Sequence, residues 1–252
     1  MKYPQVLGLL FILLMLAACA APTPIILPTR TPTQTAVLTE TIVWFPPTAT
    51  YTPFPTRATT ATPDQRPQFG SLIFADDFTD AAVWPVGQTA NGSIALAEGA
   101  LTLALATPTS FLFASRSEPV LGDFYLEITA DVSLCRGEDE FGVLFRYNGP
   151  SDYYRFGVSC DGQVRLDRIL RGQPSSPQPW LPTGFILPGA PKTVELAVWA
   201  VGAEMRFYAN GRLLFTASDR TLAQGTVGVY ARAAGDTAVT VSFSDLTVYQ
   251  AP

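Results

Sequence analysis

The feature of this sequence that most restricts its fold is the pattern of residues 68–252, where short segments of alternating apolar and polar residues are separated by turn residues. No segment in this range repeats apolar residues with a helical period for long enough to form a sizeable helix. The pattern predicts about twelve strands. A chain of this size with many strands and no crossover helices can bury its core as a sandwich or jelly roll. We therefore predict one all-β domain over residues 68–252.

Three residue pairs mark predicted hairpin turns between these strands. Glu98-Gly99 and Asn210-Gly211 each separate two alternating segments, and the Asn-Gly pair tolerates the positive φ angles of a type I′ turn. Asp161-Gly162 separates two further segments in the same way. We expect a tight antiparallel hairpin at each of these positions.

Composition excludes several classes of function. The chain has no histidine, which removes Ser-His-Asp and Cys-His catalytic groups and metal sites with histidine ligands. Its lysines are Lys2 and Lys192, so Schiff-base chemistry would depend on one side chain after N-terminal processing. The net charge of -5 argues against nucleic acid as a partner, because such partners need clustered Lys and Arg.

The N-terminus has the pattern of an export signal with a lipid attachment site. The apolar run from Val6 to Ala18 is too short to cross a bilayer core of about 30 Å. It ends in Leu16-Ala17-Ala18-Cys19, which resembles the bacterial lipobox. We predict a signal peptide over residues 1–18 and lipid chains on Cys19 that hold the protein on the outer face of a membrane, at the cell surface. The alternative is an ordinary secretory signal with a chance cysteine.

Residues 19–67 form a predicted tether. Roughly half of residues 22–67 are Thr or Pro, with few charges. Such a composition cannot bury enough apolar surface to offset its ordering entropy, so we expect an extended or disordered chain. Its predicted role is to hold the domain at a distance from the membrane anchor.

Several short motifs of the predicted domain resemble the concanavalin A-like jelly rolls. They are Asp76-Asp77-Phe78, the segments 141–147 (FGVLFRY), 152–162 (DYYRFGVSCDG) and 207–211 (FYANG), and the closing segments 225–230 (GTVGVY) and 243–248 (FSDLTV). In this order they are most similar to laminin G-like modules and the 3-keto-disaccharide hydrolase domain, in the group of family 16 glycosidases. The resemblance covers residues 71–249. It implies a sandwich of two antiparallel sheets with paired first and last strands, whose concave face holds glycans in many relatives.

The resemblance does not extend to a catalytic pattern. Retaining glycosidases of this fold class carry carboxylates in an E-x-D-x-x-E pattern on one strand, and no segment of the chain matches it. The nearest cluster, Glu138-Asp139-Glu140, is interpreted as a solvated loop, because three consecutive acids before a strand point in different directions. A calcium ion bound there is the alternative. We predict no other metal or cofactor and no catalytic residue.

Strand register predicts a row of arginines on one face of the domain. Two hairpin pairings set this register: Asn148 with Tyr153, and Cys160 with Gln163. They place Arg146, Arg155 and Arg168 side by side across three strands. Like charges that lie opposite each other repel, so the row needs carboxylates from adjacent strands or an anionic ligand.

Two interpretations of this arginine row remain open. One is internal ion pairing, with Glu127, Asp131 or Glu195 as partners. The other is a ligand face for an acidic or hydroxyl-rich sugar, on which Tyr153 or Trp180 stacks against the sugar rings. A one-residue change in register would scatter the row.

Cys135 and Cys160 are the even pair of an exported domain, which predicts a disulfide. In the register above, Cys160 lies opposite Phe141. If the strand that ends at Cys135 pairs with that same strand from its other side, the cysteines lie about 9.6 Å apart, beyond bridging range. The bond therefore requires either that the 136–140 loop folds Cys135 across the strand end or that the strand order differs.

Three functions remain for such a chain. The first choice is a surface lipoprotein that presents a non-catalytic, carbohydrate-binding domain to polysaccharide, with the lipid anchor as its contact with the membrane. A glycoside hydrolase or lyase would need two acids about 5 to 10 Å apart on the concave face. A protein-interaction module, as in laminin G-like domains, is the third.

Overall fold

The computed structural model describes residues 64–252. The predicted signal peptide, Cys19 and residues 19–63 of the predicted tether lie outside the described residues. Fifteen strands make up the regular structure of the described range. No helix there is long and apolar enough to cross a membrane.

The strands follow one another in chain order with short connections. They are β1 (Leu72–Asp76), β2 (Gly87–Gln88), β3 (Gly92–Ala97), β4 (Ala100–Leu105), β5 (Phe111–Ser115), β6 (Phe124–Leu134), β7 (Glu140–Tyr147), β8 (Tyr153–Ser159), β9 (Gln163–Leu170), β10 (Gln173–Pro182), β11 (Lys192–Val201), β12 (Glu204–Ala209), β13 (Arg212–Ser218), β14 (Thr226–Arg232) and β15 (Val239–Gln250). The predicted count of about twelve is too low, because a strand such as β2, with two residues, is too short to show alternation.

The strands form two antiparallel sheets. One has nine strands in the order β13-β12-β11-β6-β15-β4-β3-β2, with β1 paired to β15. The other has six strands in the order β10-β9-β8-β7-β14-β5. This arrangement confirms the predicted all-β sandwich and the pairing of its first and last strands.

The core lies between the two sheets and is built by strand alternation. Val143, Phe145 and Phe156 point inward from the six-stranded sheet, and Phe207 and Phe243 meet them from the nine-stranded sheet. All five are at most 1% exposed. Because each such side chain contributes about 1.5–3 kcal/mol on burial, this shared interior is what holds the sheets together.

The predicted hairpin turns at Glu98-Gly99 and Asn210-Gly211 are confirmed. They connect β3 to β4 and β12 to β13. All four residues have positive φ, between 49° and 73°, as a type I′ turn requires. The turn at Asp161-Gly162 is also present, but Val158 pairs with Val164, so the register of β8 and β9 differs by one residue from the predicted one.

The predicted disulfide is confirmed. Cys135 follows β6 in the nine-stranded sheet, and Cys160 follows β8 in the six-stranded sheet. Of the two arrangements that the sequence left open, the different strand order is the one present, and it brings the two Cα atoms to 5.8 Å, within the normal range for a disulfide. The bond therefore joins the two sheets.

The first described residues, 64–70, form a strap across the outer face of the nine-stranded sheet. The Gln65 amide donates to the Gly211 carbonyl at 2.8 Å, and the Gly70 amide donates to the Gln250 carbonyl at 2.7 Å. Between these ends, the ring of Phe69 stacks on Tyr125 with the ring centroids 5.1 Å apart. Residues 64–67, which the sequence pattern groups with the tether, thus contact the sheet.

The strand β10 forms one edge of the six-stranded sheet. Its sequence, QPSSPQPWLP, contains four prolines among ten residues. Proline has no backbone N–H to donate to a neighbouring strand, so it is confined to edges such as this one. The opposite edge is β5, where the Asn91 side-chain amide donates to the Phe111 carbonyl at 3.1 Å.

Candidate functional site

The predicted row of three arginines does not form, because the register of β7, β8 and β9 differs from the predicted one. Arg155 lies opposite Leu144 on one side and Asp167 on the other. The β7–β8 pairing is shifted by two residues and the β8–β9 pairing by one. As a result Arg155 faces outward from the six-stranded sheet, while Arg146 and Arg168 turn inward.

Arg146 turns inward because the pairing of β7 with β14 contains a bulge. Between the pairs Thr226–Tyr147 and Gly228–Leu144 the register shifts, and Arg146 has a positive φ of 46°. Its side chain is fully buried. Burial lowers the pKa of its guanidinium. This arginine is a structural cation inside the sandwich.

The Arg146 guanidinium is held by backbone carbonyls of two loops. Its Nη1 donates to the Leu222 carbonyl at 3.0 Å, and its Nη2 donates to the Gly122 carbonyl at 3.2 Å. The nearest carboxylate is that of Asp123, at 3.9 Å. Arg146 therefore ties the β5–β6 and β13–β14 loops together.

Arg168 has a similar structural position at the same end of the sandwich. Its Nη1 lies 2.6 Å from Asp219 Oδ2, and the Tyr154 hydroxyl donates to Asp219 Oδ1 at 2.9 Å. Burial alone would raise the pKa of Asp219, but hydrogen bonds from Thr221 and Tyr154 and the charge of Arg168 lower it overall. Neither Arg146 nor Arg168 lies on the outer face of the six-stranded sheet, where a ligand could reach it.

The acids suggested as internal partners of the row lie in the other sheet. Glu127 and Glu195 face Arg66 of the strap, at 3.0 and 3.6 Å. Asp131 accepts a hydrogen bond from the Thr193 hydroxyl. That pairing scheme is wrong, because β6 and β11 belong to the nine-stranded sheet.

The outer face of the six-stranded sheet carries a chain of alternating charges, which we call the ion-pair chain. It runs Arg232, Glu140, Arg165, Asp167, Arg155. Arg165 Nη2 lies 3.0 Å from both Glu140 oxygens, and Arg165 Nε lies 2.9 Å from Asp167 Oδ2. Arg155 Nε donates to the same Asp167 oxygen at 3.1 Å. Arg232 Nη1 contacts Glu140 Oε1.

In the ion-pair chain the carboxylates lie beneath the guanidinium groups. The side chains of Glu140 and Asp167 are 0% and 3% exposed, while that of Arg232 is 37% exposed. The second oxygen of Asp167 also accepts a hydrogen bond from the Ser176 hydroxyl at 2.6 Å. Solvent therefore meets arginine donors whose positions are fixed from below.

The interpretation of Glu138-Asp139-Glu140 as a solvated loop is wrong for two of its three residues. Asp139 and Glu140 are each 1% exposed. The Asp139 carboxylate accepts hydrogen bonds from the amides of Arg136 and Ala234, at 2.8 and 2.9 Å, so it fastens two loops. Among the described residues no cluster of three or more Asp, Glu and Cys side chains is arranged to hold a metal ion.

Tyr230 lies beneath the arginines, across a pair of glycines. It pairs with Gly142 on β7, which in turn pairs with Gly157 on β8. A Cβ atom at Gly157 would lie 2.3 Å from the Tyr230 hydroxyl oxygen, so the ring can cross these strands only because the side chain there is absent. The pKa of Tyr230 is raised well above its ordinary value by burial and by the Glu140 carboxylate. It remains a neutral phenol 3.5 Å from Glu140 Oε2.

Aromatic side chains flank the ion-pair chain. The structure places Trp180 over the Arg165 guanidinium, 4.5 Å from the ring centroid. Tyr153 packs against Tyr147, with the centroids 5.6 Å apart. On the β5 side, Phe111 lies 5.6 Å below the Arg155 guanidinium. Tyr153 and Trp180 thus share the outer face with Arg155, whereas Arg146 and Arg168 do not, and Tyr153 is only 9% exposed.

Sequence reasoning missed most of this site. It did not single out Arg165, Asp167, Tyr230 or Arg232 as site residues. A signal for two of them exists: Val164 and Leu166 alternate as core residues, which places Arg165 and Asp167 together on the opposite face. The sequence of β14 carries no comparable signal, because residues on both faces of this strand are buried and alternation therefore does not separate the faces.

The fold is that of the concanavalin A-like jelly rolls. No protein-family model matches the chain, and no curated protein sequence matches it. Among solved structures, the chain is similar to a carbohydrate-binding module from Bacillus subtilis, with 18% identity and a TM-score of 0.51 over 66% of this chain and 95% of that one. It is also similar to a Bacillus licheniformis beta-glucanase, with 13% identity and a TM-score of 0.54 over 73% and 100% of the two chains.

A third similar structure is a Bacillus subtilis protein of unknown function with a galectin-like fold. It shares 14% identity with a TM-score of 0.53, over 73% of this chain and 98% of that one. At such identities these comparisons establish the shared architecture. The function has to be argued from the site.

Proposed function

We propose that this protein is a saccharide-binding protein without hydrolytic activity, and that it binds through the outer face of the six-stranded sheet. The observation that carries the proposal is the ion-pair chain, in which Arg165 and Arg232 are held as donors and Arg165 lies beside Trp180. Guanidinium groups form paired hydrogen bonds with oxygen atoms, and an indole ring provides a flat apolar surface. Both properties suit a ring with many hydroxyl groups.

Preorganisation also supports binding at this face. Glu140 holds two guanidinium groups and Asp167 holds two, so the donors are ordered before a ligand arrives. Ordering long side chains on binding costs affinity, and side chains that are already ordered avoid much of that cost. Two proteins that share this fold, a carbohydrate-binding module and a beta-glucanase, are named for saccharides, which agrees with the proposed ligand class.

Burial of the carboxylates favours binding over hydrolysis. A glycosidase needs two carboxyl groups that reach the glycosidic bond from either side. Glu140 and Asp167 are the acids of this face, and arginines cover both of them. Their oxygens accept hydrogen bonds from the protein itself, which leaves none free to act as acid, base or nucleophile.

We further propose that the protein is exported and anchored to the outer face of a membrane by lipid on Cys19. The lipobox-like Leu16-Ala17-Ala18-Cys19 supports this, and the Cys135–Cys160 disulfide is typical of oxidising compartments. Expression in a bacterial host should give membrane-bound protein that incorporates labelled fatty acid. The variant Cys19→Ala should lose both the label and the membrane association, and retention of both would contradict the proposed anchor.

Glycan-array binding with residues 20–252 tests the proposed binding surface. We expect the variant Trp180→Ala to weaken binding about tenfold, which corresponds to ~1.4 kcal/mol. Phe185→Ala is the matched control, because Phe185 is an exposed aromatic residue of the 183–191 loop, outside this face. Trp180→Phe should retain part of the affinity, since it keeps an aromatic platform.

Two results would contradict the proposed function. One is that folded protein binds no saccharide on the array, which would favour a protein partner instead. The other is equal loss of binding in Trp180→Ala and Phe185→Ala, which would place the binding surface elsewhere. Thermal melting of each variant confirms that the fold is intact.

A further inference from the structure

The charges on the outer face of the six-stranded sheet do not balance. In the described strands β5 and β10 no residue is charged, and on β7 and β9 the side chains of Arg146 and Arg168 turn inward. The remaining charged residues are the five of the ion-pair chain: Arg232, Glu140, Arg165, Asp167 and Arg155. Three cations therefore face two anions.

The ion-pair chain also ends in a cation at both of its ends. Each carboxylate lies between two guanidinium groups, since Glu140 contacts Arg232 and Arg165 and Asp167 contacts Arg165 and Arg155. Arg165 is shared by both carboxylates. The surplus positive charge therefore resides at the terminal arginines, where a further anion would extend the alternation.

The two terminal arginines differ in their surroundings. Arg155 is 13% exposed, and its guanidinium lies between the rings of Phe111 and Tyr230, at 5.6 and 5.3 Å. Arg232 is 37% exposed, and among the described residues its one hydrogen-bond acceptor is Glu140 Oε1. That carboxylate is already engaged by Arg165. Arg232 is therefore the end of the chain that has donors open to a ligand.

We propose that the saccharide bound at this face is acidic, and that its carboxylate or sulfate group pairs with Arg232. This inference rests on the proposed saccharide-binding function. A guanidinium group can donate two parallel hydrogen bonds to either anion, and charge-assisted bonds of this kind are stronger than neutral ones. The ligand anion would lie next to Arg232 while sugar rings extend over Arg165 towards Trp180.

Because the protein is negatively charged overall, recognition of an acidic saccharide must depend on charges close to the ligand. The whole chain carries -5, so its overall field repels a polyanion. At physiological salt, charges more than about 8 Å from the ligand are largely screened, and the nearby guanidinium groups dominate. Added salt should therefore weaken binding only to the extent of a few contacts, and not with the steep dependence of a protein that has an extended basic surface.

Matched pairs of polysaccharides test the inference. One pair is a polyuronate and the same polymer after reduction of its carboxyl groups, and the other is a sulfated polysaccharide and its desulfated form. Binding of residues 20–252 to each is measured by titration calorimetry. We expect at least one acidic polymer to bind about tenfold or more tightly than its neutral counterpart. The pair that shows this ratio identifies the anion as carboxylate or sulfate.

The variant Arg232→Gln should abolish the preference for the acidic member of the pair, so that the acidic and neutral members bind with similar affinity. Arg220→Gln is the matched control, because Arg220 is an exposed arginine of the β13–β14 loop. This substitution removes the same charge at a site away from the ion-pair chain. It should leave the ratio between acidic and neutral ligands unchanged.

The outcomes separate this inference from the function on which it rests. Equal binding of the acidic and neutral polymers would overturn the inference and leave the saccharide-binding function standing. A preference that survives in Arg232→Gln, or falls equally in Arg220→Gln, would also overturn it. If the folded protein binds none of the polymers and no glycan on an array, both the inference and the proposed saccharide-binding function are overturned.

Discussion

Arg146 shows how one residue can hold two loops through backbone carbonyls, with its nearest carboxylate, that of Asp123, 3.9 Å away. Its guanidinium is fully buried and donates to the carbonyls of Leu222 and Gly122. Buried backbone carbonyls that lose their donor cost about 1–3 kcal/mol each. The positive φ at this arginine adds strain that the bulge imposes, so the contacts of the side chain must outweigh it.

We predict that Arg146→Met lowers the free energy of unfolding by about 2–3 kcal/mol, because the methionine fills part of the space but leaves both carbonyls without a donor. Urea denaturation followed by tryptophan fluorescence measures the change. Arg220→Met, at an exposed arginine, should stay within about 0.5 kcal/mol of wild type. An Arg146→Met protein as stable as wild type would show that water replaces the guanidinium at no cost.

Asp219 gives a prediction about pH. Its folded-state pKa is lower than the ordinary value of 3.8, so its interactions contribute stability above that value. That contribution is lost as the pH falls below 3.8 through the folded-state pKa. The difference in unfolding free energy between wild type and Asp219→Asn should therefore shrink as the pH falls below 3.8. Urea denaturation at a series of pH values tests this, and a constant difference would contradict it.

Among the elements, β7 and β8 pair through two glycines, Gly142 and Gly157, that lie opposite each other. The absence of a side chain at Gly157 leaves the space that the Tyr230 hydroxyl occupies over these strands. This places its hydroxyl near Glu140, under the ion-pair chain. A Cβ atom at Gly157 would meet the tyrosine hydroxyl oxygen, whereas a Cβ atom at Gly142 would meet the backbone carbonyl of Phe156.

We predict that Gly157→Ala destabilises the protein by about 1–3 kcal/mol, as overpacking of a well-packed site does. In the background of Tyr230→Phe, which lacks the hydroxyl oxygen that the new Cβ would meet, the same substitution should cost less. Chemical denaturation of both single variants and the double variant gives the coupling energy, which should exceed about 0.5 kcal/mol. Additive effects would mean that the clash is relieved elsewhere.

Elements were predicted from the sequence with unequal success, and the reason lies in particular residues. The turns at Glu98-Gly99 and Asn210-Gly211 were predictable because glycine reports the positive φ of a short hairpin. The register of β7 was not, because its bulge has an arginine at positive φ, which no sequence rule signals. The site inherited this error, since a shift of one residue exchanges the faces of a strand.

At the scale of the whole molecule, the strap adds a layer to the nine-stranded sheet. Tyr125 is fully buried although it lies on the outer face of that sheet, and Phe69 is stacked on it. Arg66 reaches two carboxylates of the same face, those of Glu127 and Glu195. These contacts are made by residues before the first strand. The alternation of apolar and polar residues that predicts strands is absent there, so it could not predict these contacts.

We predict that a protein beginning at Ser71 is about 2 kcal/mol less stable than one beginning at residue 64. The loss combines one aromatic stack, worth about 0.5–1.5 kcal/mol, with hydrogen bonds at Gln65 and Gly70. Thermal and urea unfolding of the two proteins measure the difference. Extending the protein from residue 64 to residue 59 serves as the control, and equal stability of all three proteins would contradict a stabilising strap.

The prolines of β10 have a consequence for many copies held close together. An open sheet edge with free N–H and C=O groups can recruit the edge of a neighbouring molecule and begin aggregation. Four prolines among the ten residues of this edge strand remove four of the donors that such recruitment could use. When copies of this protein are packed densely, joining through this edge into a continuous fibre is thus disfavoured.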